Sequence, residues 1–140
     1  MRVDWILLAR YAETTADGTM NVLGAGLDTL LFARGTLPAA GDLYVAMRLV
    51  APMQQWRESG HVMSTFVVTP DGERHKGHRI PLREPRLPSP LHLGADPGLL
   101  LTLPHAMTFA TVGSYSIDIV VDDKKLHTSS ILVHVPDAGS

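Results

Sequence analysis

Ser114-Tyr115-Ser116-Ile117-Asp118-Ile119-Val120-Val121 alternates residue by residue. Tyr115, Ile117, Ile119 and Val121 fall on one side of an extended chain, and Ser114, Ser116 and Asp118 on the other. A period of two puts one face on a core and the other toward water, which is the pattern of a β-strand. Asp122-Asp123-Lys124-Lys125 supplies a turn, and Leu126 to Val135 reads as the return strand.

Working back from this pair, similar runs recur and no convincing helix separates them. Val3 to Ala9 is apolar at nearly every position, which predicts a central strand covered on both faces, with Trp5 in the core. Asp17-Gly18 is a hairpin signal, because both residues tolerate positive φ, and Met20-Asn21-Val22-Leu23 returns from it. Leu27–Phe32, Leu43–Leu49, His61–Thr69 and a weaker Arg74–Leu82 follow, with Pro70-Asp71-Gly72-Glu73 as a turn. Pro81, Pro85, Pro88, Pro90 and Pro97 make 81–98 a long irregular connection, because proline gives no hydrogen bond to a ladder. Leu99–Leu103, Met107–Thr111 and the opening strand complete the set. The expectation is an all-β chain: one antiparallel β-sandwich of about eight strands, Greek-key or Ig-like, over residues 1–136, with a flexible tail at 137–140.

The chain has 140 residues, 45% of them hydrophobic and 19% charged, enough apolar material for one core without staples. Twelve basic and 14 acidic residues give a net charge of −2 without a long basic run, so no nucleic-acid partner is expected. Cysteine is absent, which removes disulfides and thiolate metal sites and fits a cytoplasmic address. No apolar run approaches the ~20 residues of a membrane-spanning helix, and no membrane partner is expected.

The motifs of chemistry are thin. Gly24-Ala25-Gly26 lacks the lysine and helix of a phosphate loop and reads as a bulge. No Gly-x-Ser-x-Gly elbow exists. Of seven histidines, only His75-x-x-His78 is a close pair, and a closed metal site needs three or four ligands. No metal or cofactor is therefore expected; His61, His127 and His134 fit outward strand positions.

The block Trp5 to Glu13, with Tyr11-Ala12-Glu13 at its end, the Asp17-Gly18 turn and Gly24-Ala25-Gly26-Leu27-Asp28 resemble an uncharacterised bacterial family of small all-β proteins, a domain of unknown function. Asp71-Gly72 and Gly113-Ser114-Tyr115 are similar to that family's middle turn and late strand. The resemblance implies the fold over most of the chain and assigns no catalytic residue.

The expectation for function is a non-enzymatic sandwich that works through protein contacts, as an accessory subunit or a homo-oligomer. Leu91 and Leu93, in the leucine-rich irregular stretch, are the candidate contact residues, since exposed apolar patches mark interfaces. The alternative is a small-molecule or carbohydrate-binding sandwich using Trp56, Arg57 and Gln54, where an aromatic beside an arginine anchors a ligand; the competing reading of Trp56 is that it folds back to cap an open end of the sandwich. A third reading, a histidine-metal enzyme at His75 and His78, has the least support.

Overall fold

The computed structural model describes residues 1–85 and 96–137. Leu91, Leu93 and residues 138–140 lie outside the described residues. The strands are β1 (Arg2–Ala9), β2 (Tyr11–Thr14), β3 (Met20–Leu23), β4 (Thr29–Leu31), β5 (Ala39–Val50), β6 (Val62–Val68), β7 (Arg74–Pro81), β8 (Gly98–Phe109), β9 (Gly113–Val121) and β10 (Lys124–His134). One short helix, α1 (Met53–Arg57), stands where a polar loop is predicted. A three-stranded sheet has the order β1-β5-β8, and a five-stranded sheet the order β4-β10-β9-β6-β7. The β2–β3 pair is a separate ribbon.

The core is what alternation selects. Val45, Met47 and Leu49 of β5 and Leu103, Met107 and Phe109 of β8 belong to one buried cluster with Met63 of β6, Tyr115, Ile117 and Ile119 of β9, and Ile131 and Val133 of β10. The β9–β10 turn uses Asp122 and Asp123 at φ 50° and 65°, the left-handed pair that a two-residue hairpin loop of matching twist requires.

The β4–β10 pair is parallel in a sandwich expected to be antiparallel, and three further expectations change. β1 is an edge strand, not a central one, and Trp5 and Leu7 remain 36% and 39% exposed. The β2–β3 ribbon lies over β5 and β8 instead: Tyr11 meets the Tyr44 ring at 5.2 Å, the Thr14 and Thr102 hydroxyls lie 3.2 Å apart, and Ala12 and Ala46 are buried. Leu99–Leu103 and Met107–Thr111 merge into one strand through Pro104, because β8 is also an edge and its far side needs no N–H from residue 104. His61 is buried rather than outward: Nδ1 lies 2.5 Å from Asp122 Oδ2 and Nε2 lies 2.7 Å from the Gln55 carbonyl. Both partners accept, so the ring carries both protons. The Asp122 hydrogen bond, then the Gln55 carbonyl, hold its pKa above the usual histidine value.

Tyr115 closes the β8–β9 corner. Its hydroxyl donates to the Thr111 carbonyl at 2.8 Å and accepts from the Thr111 N–H at 3.3 Å, while its ring meets Phe109 edge-on at 5.2 Å. Tyr115→Phe keeps the ring and removes both hydrogen bonds. The expected loss is about 1 kcal/mol, read as a shifted denaturant midpoint with an unchanged slope.

Candidate functional site

The helical turn α1 separates the residues proposed as a ligand anchor. At about 100° per residue, Gln54 and Arg57 share one side and Trp56 faces the other. Trp56 is 4% exposed and donates its indole N–H to the Pro97 carbonyl at 3.0 Å, pinning α1 to the start of β8. Trp56 is therefore not a surface anchor. Arg57 is exposed and lies 3.7 Å from Glu84; Gln54 is exposed as well.

A cleft lies instead where the two sheets meet edge to edge, between β7 and β8. Its volume is about 450 Å³, and Val67, His75, Lys76, His78, Pro104 and Ala106 are among its lining residues. It is shaped by a register shift: Ser64 pairs with Arg79 and Phe66 with Lys76, so Thr65 alone opposes both Gly77 and His78. This is a β-bulge, which bends a strand and re-aims a side chain. Here it aims His78 across the gap at β8, where its ring meets that of His105 edge-on at 4.9 Å. His78 Nε2 donates to the Pro104 carbonyl, so the middle of the β8 edge carries a proline with no N–H and a carbonyl already taken.

Behind this rim the groups are locked together. The His78 backbone N–H donates to Thr65 Oγ1 at 2.8 Å, and the Thr65 hydroxyl lies 2.8 Å from His105 Nε2. His105 Nδ1 lies 3.2 Å from the Leu103 carbonyl, an acceptor. Nδ1 must therefore carry the proton, and Nε2 accepts from Thr65. His105 is 4% exposed, and burial, then the nearby His78, push its pKa down to about 4. Gly77 permits the arrangement, because a Cβ there would overlap Thr65 Oγ1 and sit 3.2 Å from the His105 ring.

Of the residues singled out in the sequence, His75 and His78 come to this cleft, and Trp56, Arg57 and Gln54 do not. Thr65, Pro104 and His105 were not foreseen. Gly77 inside a strand was the one local signal of a bulge. Among the described residues no three His, Asp or Glu side chains converge as metal ligands, and no helix is long and apolar enough to cross a membrane.

No curated protein matches this sequence. Among solved structures, the chain is similar to an alkylpurine DNA glycosylase, AlkC, of Pseudomonas fluorescens bound to DNA containing an abasic site analogue. Identity is 11% and the TM-score 0.42; the match covers 74% of this chain and 27% of the glycosylase chain. A DNA-bound neighbour counts against the expectation of no nucleic-acid partner, which rested on a missing basic run, and that exclusion is withdrawn. A likeness this low carries no argument for DNA binding by this chain. The family model is a different matter, for it spans nearly the whole sandwich. Residues 4–134 match the family of unknown function DUF6941, and the chain belongs to that family.

Proposed function

We propose that this protein is a non-enzymatic β-sandwich that works through contact with another protein, and that the contact is made at the β7–β8 cleft. The observation that carries the reading is the cleft itself, about 450 Å³ between two edge strands, with a bulge that aims His78 into it. A hollow of this size accommodates a few side chains of a partner. Its inner groups favour recognition over reaction. Both ring nitrogens of His105 and the Thr65 hydroxyl are spent on each other and on backbone, and among the described residues no carboxylate lines the space. General acid–base work at that inner wall needs a group free to exchange a proton with the ligand, and neither His105 nor Thr65 is free. A cysteine-free chain is compatible with the reducing bacterial cytoplasm, which this reading takes as the setting.

The test is affinity capture from lysate of the source cells, with the wild-type chain and with Ala106→Trp. Ala106 is exposed and lines the cleft, so the indole fills it without entering the core. An unchanged denaturation midpoint confirms that the variant folds. The expected result is a stoichiometric protein, another chain or a further copy of this one, held by the wild type and lost with Ala106→Trp. Capture indifferent to that substitution, or no capture by the wild type, overturns the reading.

A further inference from the structure

We infer that the occupant of the cleft is an acidic, extended peptide segment of the partner, lying along the free edge of β7; this rests on the protein-contact reading above. The five-stranded sheet ends at β7, so among the described residues no strand pairs with its outer side. An unpaired edge is a template for an added strand, with backbone hydrogen bonds giving affinity and alternate side chains giving specificity. The opposite wall, β8, is a poor template, because Pro104 and the His78 ring block its middle. The added strand therefore belongs to β7.

Charge selects its composition. The whole chain carries a net charge of −2, yet β7 reads Arg74-His75-Lys76-Gly77-His78-Arg79-Ile80-Pro81, with three Lys or Arg, two His and no acid. Arg74 is engaged, its guanidinium 3.7 Å over the Phe66 ring and 3.8 Å from Asp118. Lys76 and Arg79 have no ion-pair partner among the described residues. His78 spends Nε2 on Pro104 and has no partner on Nδ1 among the described residues. Two acids stand in the turn before β7: Asp71 is held by Thr69, and Glu73 lies 3.7 Å from His75. A carboxylate arriving beside the exposed Lys76 accepts a charge-assisted hydrogen bond from its ammonium, with Arg79 the second cation on the strand.

The experiment is a nuclear magnetic resonance titration with three probes: a capped eight-residue peptide alternating Thr and Glu, its Thr–Lys counterpart, and glutarate as a free dicarboxylate. The Thr–Glu peptide is expected to shift the backbone amides of Arg74–Arg79 and the His78 ring, and Lys76→Ala to weaken it at least fivefold. The Thr–Lys peptide and glutarate are expected to leave those amides in place at equal concentration. Equal response to glutarate overturns the peptide inference in favour of a small organic acid. Equal response to the Thr–Lys peptide, or none to any probe, also overturns it and leaves the β7 charges as guards against edge-to-edge aggregation. Failure here is distinct from failure of the protein-contact reading, because capture sensitive to Ala106→Trp survives whatever the occupant's charge.

Discussion

Lowering the pH from 7 to 5 removes about 2 kcal/mol of folding stability through His105 alone. In the folded chain its ring accepts a proton only near pH 4, because burial beside His78 disfavours the charge. In the unfolded chain the same ring titrates at its ordinary value of 6.5. Below that value the unfolded state binds more protons, so stability falls as pH falls and levels off once the folded ring also titrates. The interval from pH 6 to 5 isolates this residue. His61 has a raised pKa, so its contribution is complete below 6.5 and is lost only as pH rises through the folded value. Glu13, Asp17, Asp71 and Asp122 are all held below ordinary values of 3.8 to 4.5, so their contributions fade only as the pH approaches those values. Urea unfolding at pH 7, 6 and 5 measures the slope. His105→Gln is expected to be less stable at pH 7 and nearly flat between pH 6 and 5. A wild-type curve that runs parallel to the variant contradicts the assignment.

Gly77→Ala costs about 2–4 kcal/mol, a large effect for one methyl group on a surface strand. The new Cβ overlaps Thr65 Oγ1 and presses the His105 ring, both of which are buried. Moving Thr65 breaks its bonds to His105 Nε2 and to the His78 N–H together, leaving buried polar atoms unpaired. The comparison is Gly41→Ala in β5, where a Cβ meets nothing within 4 Å and the backbone has an ordinary φ. That substitution is expected to stay within about 0.5 kcal/mol of wild type. Denaturant midpoints for both variants settle the matter, and equal, small shifts would mean that the bulge is not packed as described. Gly77→Ala also displaces His78, so capture of the partner is expected to fall with it.

Local pattern was enough for most strands and turns. The alternation of β9 places Tyr115, Ile117 and Ile119 inside, and Asp122-Asp123 turns where two acids can adopt positive φ. Pattern failed where the second face of a sheet is covered by something distant. The uninterrupted apolar run of β1 reads as a buried central strand, but the ribbon lies over β5 and β8, so Trp5 and Leu7 stay exposed at an edge. Trp56 is open between ligand anchor and end cap in the sequence, because a single helical turn in a polar segment has too few residues to show a period; the structure buries it against Pro97. The cleft was the least legible feature. Thr65, Gly77, His78 and His105 come from three strands, and 40 residues separate Thr65 from His105. They meet because β7 and β8 are the outer strands of facing sheets, a relation that strand order decides and local period does not. Asp-Gly and Gly-x-Tyr features belong to turns and core, which is why the family resemblance carried the fold without the site.

The most direct test places a photo-crosslinking residue at Thr108, exposed in the cleft, and separately at Ser130, exposed on the outer face of the five-stranded sheet. Illumination in source-cell lysate is expected to give one discrete crosslinked protein from position 108 and none from 130. A crosslink from position 130 alone, or the same yield from both, contradicts a contact made at the β7–β8 cleft.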